Sequence, residues 1–456
     1  MTPRRSWQGV SPWWLAIRAL LAFPRAIHEL VWGLFFVNLW GLDPLTAILA
    51  IAIPFGAITA KVFSEILDET PRQPLTALLN SGVAPLSALL YGLLPQAFLN
   101  LLSYSFYRFE CSIRSAAVLG IIGAGGLGYQ ILLSLQSLRY EQLWTFFFAL
   151  VFLNGAVGWS SAWVRHRLGC PNRLDINALK VQPQPPVQRR DPLLPWVSLG
   201  ILVLVPWCFW TINADFSKLW SPQTMALLGE ISQASFPPNL HETPLPQLLL
   251  LALETLAMSL LAIAGAGLGG ILLSFPAARN FLHLFNPHLP VGRARIRAWG
   301  ALFVTRMMLL VCRAIPAPIW ALVLLFVLFP GILPGAIALG LHNLGILGRL
   351  MAEVLENLDQ RPLEALKAQG SPGSGVFLYG VLPLTLPQFL AYILYRWEVC
   401  LRETMIVGLV GAGGLGRLLT EQLSSFDYQS VVVTLGWFVA LMFLIDWISA
   451  TARRKR

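Results

Sequence analysis

The chain has 456 residues, 56% of them hydrophobic and only 12% charged, against roughly a quarter charged in soluble proteins, which excludes an ordinary soluble enzyme. Its formal charge is +10, yet the basic residues cluster between apolar runs: Arg4-Arg5, the stretch 165–190, Arg293, Arg295 and Arg297, and Arg453 to Arg456. That pattern argues against nucleic acid as a partner and reads as the positive loops on the cytoplasmic side of a bilayer.

Apolar runs long enough to cross roughly 30 Å of hydrocarbon recur along the sequence. They fall at 45–63, about 96–118, 193–212, 248–275, 307–329 and 430–450. No small-residue cleavage site follows the first apolar stretch, so the first span is expected to stay in the mature chain. Seventeen tryptophans suit anchoring at the membrane interface. The five cysteines (Cys111, Cys170, Cys208, Cys312, Cys400) show no metal-ligand spacing and read as small apolar fillers.

After the 45–63 run comes a more polar segment carrying most of the acidic residues of the first half, with Thr76-Ala77, Gly82 and Leu94-Pro95. The 96–118 run then holds Glu110 and Arg114, and Gly123-Ala124-Gly125-Gly126-Leu127-Gly128 follows. An offset of 288 residues carries all of this onto a second copy: Glu364-Ala365, Gly370, Leu382-Pro383, Glu398 and Arg402, then Gly411-Ala412-Gly413-Gly414-Leu415-Gly416. Upstream the same offset places Arg25-Ala26-Ile27 on Arg313-Ala314-Ile315.

The sequence is therefore read as an all-α integral membrane protein of two homologous units, 13–165 and 245–452. About four spans are expected in the first and five in the second. Between them, 166–244 holds a Pro/Gln/Arg-rich linker at 181–190, one additional span at 193–212, and a polar external stretch, 213–243, without sustained periodicity. With basic clusters at the end of each unit held inside, both units share one orientation, a parallel repeat with both termini cytoplasmic. Positions 245–302 would map before residue 15 of the first unit. That unit has either lost its leading helix or starts further upstream.

In the polar segment a glycine between two short helices allows a sharp turn, because glycine tolerates positive φ. The Leu-Pro step sets where the next helix leaves the cytoplasmic surface. Such a helix pair can dock in a separate motor protein and pass on a rigid-body push. Thr76 stands where the second copy has Glu364, so docking of the first half is weaker or uses Glu65, Asp68 or Glu69. An interfacial hairpin without a partner is the plainer reading.

At i,i+4, Glu110/Arg114 and Glu398/Arg402 share a helix face and can neutralise one another. Charges in an apolar span face each other or a cavity. Two readings stand: ion pairs that fix helix register, or arginines lining a translocation path, where guanidinium forks suit an oxyanion. The glycine runs spell G-x-G-x-x-G, but a dinucleotide site needs a preceding strand and a βαβ unit. Between helical spans Gly123, Gly125, Gly126 and Gly128, like Gly411, Gly413, Gly414 and Gly416, read instead as a helix break or hinge.

The polar segments resemble the Glu-Ala-Ala loop of ABC importer permeases. With Tyr107-Arg108-Phe109-Glu110 to Arg114, its copy Tyr395-Arg396-Trp397-Glu398 to Arg402, and Glu254-Thr255-Leu256-Ala257-Met258-Ser259 to Ala278-Arg279-Asn280, the chain is similar to the phosphonate ABC transporter permeases. The resemblance implies the type I importer fold in a bacterial inner membrane, transporting a phosphonate, phosphite, hypophosphite or phosphate. It implies two ATPase subunits, which hold the ATP and magnesium, and a periplasmic binding protein. It also implies one copy of this chain per complex, because the permease dimer is fused. The chain itself has no G-x-x-x-x-G-K-[ST] loop and is expected to bind no cofactor and catalyse no reaction. The alternatives are a proton-coupled secondary transporter using Glu110 and Glu398, or an ABC permease for another substrate such as an amino acid.

Overall fold

A computed structural model describes residues 27–120, 125–168, 193–212, 215–237, 244–280 and 293–454, and part of 16–25. Every regular element among them is helical. Gly123, Cys170 and the linker 181–190 lie outside the described residues.

The first repeat contains α1 (Glu29–Trp40), α2 (Pro44–Glu69), α3 (Gln73–Asn80), α4 (Pro85–Leu119), α5 (Gly126–Gln136) and α6 (Tyr140–Arg167). The linker supplies α7 (Leu193–Ile212), with the bounds the apolar run gives, and α8 (Pro222–Ser235). The second repeat has α9 (Leu245–Ala277), α10 (Arg293–Ala314), α11 (Ala317–Leu328), α12 (Ile332–Glu356), α13 (Arg361–Ala368), α14 (Gly373–Ala412), α15 (Gly414–Ser424) and α16 (Tyr428–Arg454). Shifted by 288, α1 falls on α11, α2 on α12, α3 on α13, α5 on α15 and α6 on α16, within a residue at every end. Even the π-turns match, Leu89–Leu93 in α4 against Phe377–Val381 in α14. Seven helices among the described residues are long and apolar enough to cross a membrane, eight if one bent pair is a single span, with shorter apolar helices at Glu29–Trp40 and Leu202–Ile212.

The bent pair corrects the reading of 307–329 as one straight span: α10 and α11 meet at 92°. Pro316 is the cause. It caps α11 in an extended conformation, lacks an N–H and keeps the residue before it out of the α region. The stretch 213–243 also differs from expectation, since it holds a 3₁₀ turn at Phe216–Trp220 and then α8. Proline at the first helical position and the Met225-Ala226-Leu227-Leu228 run favour that helix locally.

Two compact units form, residues 1–124 with 156–224, and residues 125–155 with 225–456. Within the first, α2 packs on α1 and α4, and Ile66, Ala97 and Tyr104 make an apolar cluster with Phe63 and Tyr107. Within the second, α12 is the central helix, touched by α9, α10, α11 and α14. Its apolar window is 67% buried, against 28% for α2. Small residues make this possible: a Cβ at Gly345 would sit 2.5 Å from the backbone nitrogen of Arg313, the close backbone approach that membrane helices use in place of hydrophobic drive.

Candidate functional site

The two polar segments each form a short helix followed by a turn. α3 and α13 each end in a glycine turn, Gly82 at φ +81° and Gly370 at φ +80°. The Ser371 N–H donates to the Leu366 carbonyl at 3.2 Å and the Gly370 N–H to Lys367 at 2.9 Å, and the Val83 N–H does the same to Leu78 at 3.2 Å. These bonds satisfy the last carbonyls of each short helix. Thr76, Ala77, Glu364 and Ala365 are all exposed on the first and second segments. The Leu-Pro steps lie inside a helix in both repeats. The following helix begins earlier, at Pro85 or Gly373, and Leu94-Pro95 and Leu382-Pro383 mark the exit of a π-turn inside it. The π-turn absorbs the register change that a proline without an N–H imposes.

The segments differ in anchorage. Leu363 of α13 is fully buried, packed in a cluster with Ala277, Ala278, Val376 and Val381. No residue of α3 is buried. The acidic alternatives in the first repeat are engaged locally, Glu65 with Lys61 at 3.8 Å and Asp68 with Arg72 at 2.9 Å.

In the second repeat the i,i+4 pair forms, with an Arg402 nitrogen donating to Glu398 at 2.7 Å. In the first it does not. Glu110 accepts from Arg165 on α6 at 3.3 Å, and Arg114 reaches the Cys111 sulfur at 3.2 Å. A third arginine, 55 residues away in sequence, thus replaces the local partner. Sequence spacing along one helix could not reveal it.

Two further arginines, present in the quoted motif but not singled out there, are held by polar or aromatic neighbours, and Arg396 is buried. Arg396 donates twice to the Asn343 side-chain oxygen, at 2.9 and 2.6 Å, and pairs with Glu403 at 3.3 Å. Asn343 in turn donates to Glu403 at 3.2 Å and to the Leu339 carbonyl at 2.9 Å. Its counterpart Arg108 donates to the Tyr104 hydroxyl at 2.9 Å and lies over the Phe55 ring at 5.0 Å. The signal for the first network was a lone asparagine in the apolar run of α12. Phe55 holds the position of Asn343 and Ser115 that of Glu403.

The glycine runs break the helix in both repeats. Gly125 and Gly126 have φ +84° and +74°; Gly411, Gly413 and Gly414 have +115°, +88° and +70°. A Cβ at Gly416 would stand 2.2 Å from the Met405 carbonyl oxygen. Thr255 of α9 accepts the Leu415 N–H at 3.0 Å, capping α15. Gly128 is buried on α5. Helices flank both runs, so the dinucleotide spelling has no βαβ unit around it.

A tandem helical membrane chain with paired exposed helix turns is an arrangement that suits a transport permease. The family described as "Binding-protein-dependent transport system inner membrane component" matches residues 10–168 and again 292–455, and the chain belongs to it. It is 27% identical over 441 residues to the "Phosphate-import permease protein PhnE" of Mycolicibacterium smegmatis, covering 96% of this chain and 77% of that protein. Over 290 residues it is 31% identical to the "Phosphite transport system permease protein PtxC" of Stutzerimonas stutzeri, covering 61% of this chain and 97% of the relative. The chain is thus a multi-pass inner-membrane permease, the membrane component of an ABC importer and not its ATPase, and such a system works with an ATPase and a binding protein. ATP drive replaces the proton-coupled alternative.

Proposed function

We propose that this chain forms the translocation pathway of an importer for a phosphorus oxyanion, a phosphonate, phosphite, hypophosphite or phosphate. The observation that supports the substrate class is the likeness, over 96% of this chain, to a phosphate-import permease together with that to a phosphite permease. The chemistry supports it. Arg114 and Arg402 sit in apolar helices, where a guanidinium fork meets two oxygens of a tetrahedral anion with little water to compete. Glu398 holds Arg402 in place between turnovers.

In this reading residues 73–95 and 361–383 dock on two ATPase subunits, which hold ATP and magnesium. The glycine breaks act as hinges. One copy of the chain fills both membrane positions of the complex, and both termini face the cytoplasm, as the basic clusters at 165–190 and 453–456 favour. The test is uptake by liposomes holding the chain with its ATPase and binding protein. Phosphate, phosphite or methylphosphonate should accumulate with ATP, and sulfate and free amino acids should not. Accumulation of an amino acid, or of none of the three anions, would sink the substrate assignment.

A further inference from the structure

The cytoplasmic end of α9 does two things in the second repeat that nothing does among the described residues of the first. It fills a groove. In the first repeat a cavity of about 510 Å³ opens beside the coupling segment, lined by Phe63, Leu67, Asp68, Leu75, Leu89 and Leu93. The equivalent positions by the 288 offset are Met351, Leu355, Glu356, Leu363, Phe377 and Val381. There Met351, Leu355, Leu363 and Val381 are buried in one cluster with Ala277 and Ala278 of α9.

It also closes a polar clasp. The Arg279 N–H donates to the Glu356 carboxylate at 2.9 Å, and the Asn280 amide donates to the Leu355 carbonyl at 2.7 Å. From α10, Arg306 pairs with the same Glu356 oxygen and donates to the Ala277 carbonyl at 2.9 Å. Glu356 is the last residue of α12, five residues before α13 begins. One carboxylate at the end of α12 therefore ties the residues just after α9 to Arg306 in the middle of α10, at the root of the coupling helix. Asp68, its counterpart, pairs with Arg72 on the surface.

We propose that Glu356 is a positioning residue for transport. Through Arg279, Asn280 and Arg306 it makes α13, α12, α9 and α10 one rigid lever, so that motion imposed on α13 reaches the membrane helices without slack. This rests on the reading that the 361–383 segment is where the ATPase docks. A lever works only if its root does not bend, and packed interfaces transmit displacement because they are not continuously deformable. The first repeat, with an open groove and no clasp among its described residues, transmits less.

The test uses the full chain with its ATPase, with native cysteines replaced and nitroxides attached at Leu272→Cys on α9 and Ala368→Cys on α13. The distance between labels should form one narrow distribution, the same without nucleotide and after trapping with ATP and vanadate. In Glu356→Gln it should broaden about twofold, and uptake per ATP should fall about tenfold while ATP hydrolysis continues. Glu356→Asp should restore most of both. Asn280→Ala, which keeps the ion pair, should move both readouts in the same direction by about threefold and decides the matter if Glu356→Gln fails to insert. A narrow distribution in both variants with normal uptake per ATP would overturn the proposal, as would a large change of the wild-type distance on trapping. The distance needs no substrate, so a wrong substrate assignment leaves this result readable.

Discussion

In the first repeat a half-buried arginine, Arg108, lies between a tyrosine and a phenylalanine; in the second its buried counterpart, Arg396, is held by Asn343 and Glu403. The helices around them begin and end at matching residues. The backbone plan of a repeat is therefore carried by a few glycines and prolines, Gly82 and Gly370 among them, while the chemistry that stabilises a buried cation is free to differ. The difference extends to the polar segments: Leu363 anchors α13 in an apolar cluster and Glu356 ties the residues before it, whereas no residue of α3 is buried. The two repeats share a helix plan and differ in how their polar segments are anchored.

The largest effect should come from stiffening the turn. Proline cannot take the φ of +80° at Gly370, and the mismatch costs about 3 kcal/mol or more. Gly370→Pro should abolish uptake while the protein still inserts and ATP is still hydrolysed. Gly82→Pro on the exposed segment should leave measurable uptake. Equal losses from the two would break the comparison.

Next in size is the loss of a cation from an apolar helix. Arg396→Leu removes two hydrogen bonds to Asn343 and the ion pair with Glu403 and should destabilise the protein by about 3 kcal/mol. Arg108→Leu removes one hydrogen bond and two ring contacts and should cost about 1 kcal/mol. Thermal unfolding in detergent reads the difference. A larger loss for Arg108→Leu would reverse the assignment of the stiffer half.

Replacing Arg114 and Arg402 together by Gln should lower oxyanion uptake about tenfold at unchanged yield of folded protein. The single variants sharpen the contrast. Arg402→Gln leaves Glu398 without its partner, while Arg114→Gln leaves the Glu110–Arg165 pair intact. Normal uptake by the double variant would assign these arginines to register alone.

The smallest effect belongs to a tie found in the first repeat. Lys218 of the linker pairs with Asp43, the cap of α2, and the Trp40 indole N–H donates to Thr224 at 2.9 Å. Gly331 stands at the position of Asp43 in the second repeat. The hydrogen bond from Lys218 holds the Asp43 carboxyl below its ordinary value of 3.8. A depressed carboxylate contributes stability above its unfolded pKa and loses it as pH falls through the folded one. The same bond raises the Lys218 ammonium above 10.5, so its share is present below that pH and is lost on further rise. Asp43→Asn should flatten the fall in melting temperature below about pH 4. An unchanged acid limb would remove the tie from the account.

Much of this was legible in the sequence. The offset of 288 placed paired elements because glycine and proline fix local geometry wherever they stand. Long-range choices were not legible. The run 307–329 is apolar throughout, so its hydropathy hid the corner that Pro316 makes. Glu110 chose Arg165 over the neighbour at i+4 because α6 brings a second guanidinium to it, a fact of packing. The Glu356 clasp gathers residues from three helices, and Ala278-Arg279-Asn280 was visible as a motif without its purpose.

The most direct test of the whole account is oxyanion uptake by liposomes containing this chain and the binding protein, measured with and without the partner ATPase. Accumulation of phosphate, phosphite or methylphosphonate should require both ATP and the ATPase, and should vanish with Gly370→Pro. Uptake at full rate in liposomes that lack the ATPase would contradict it.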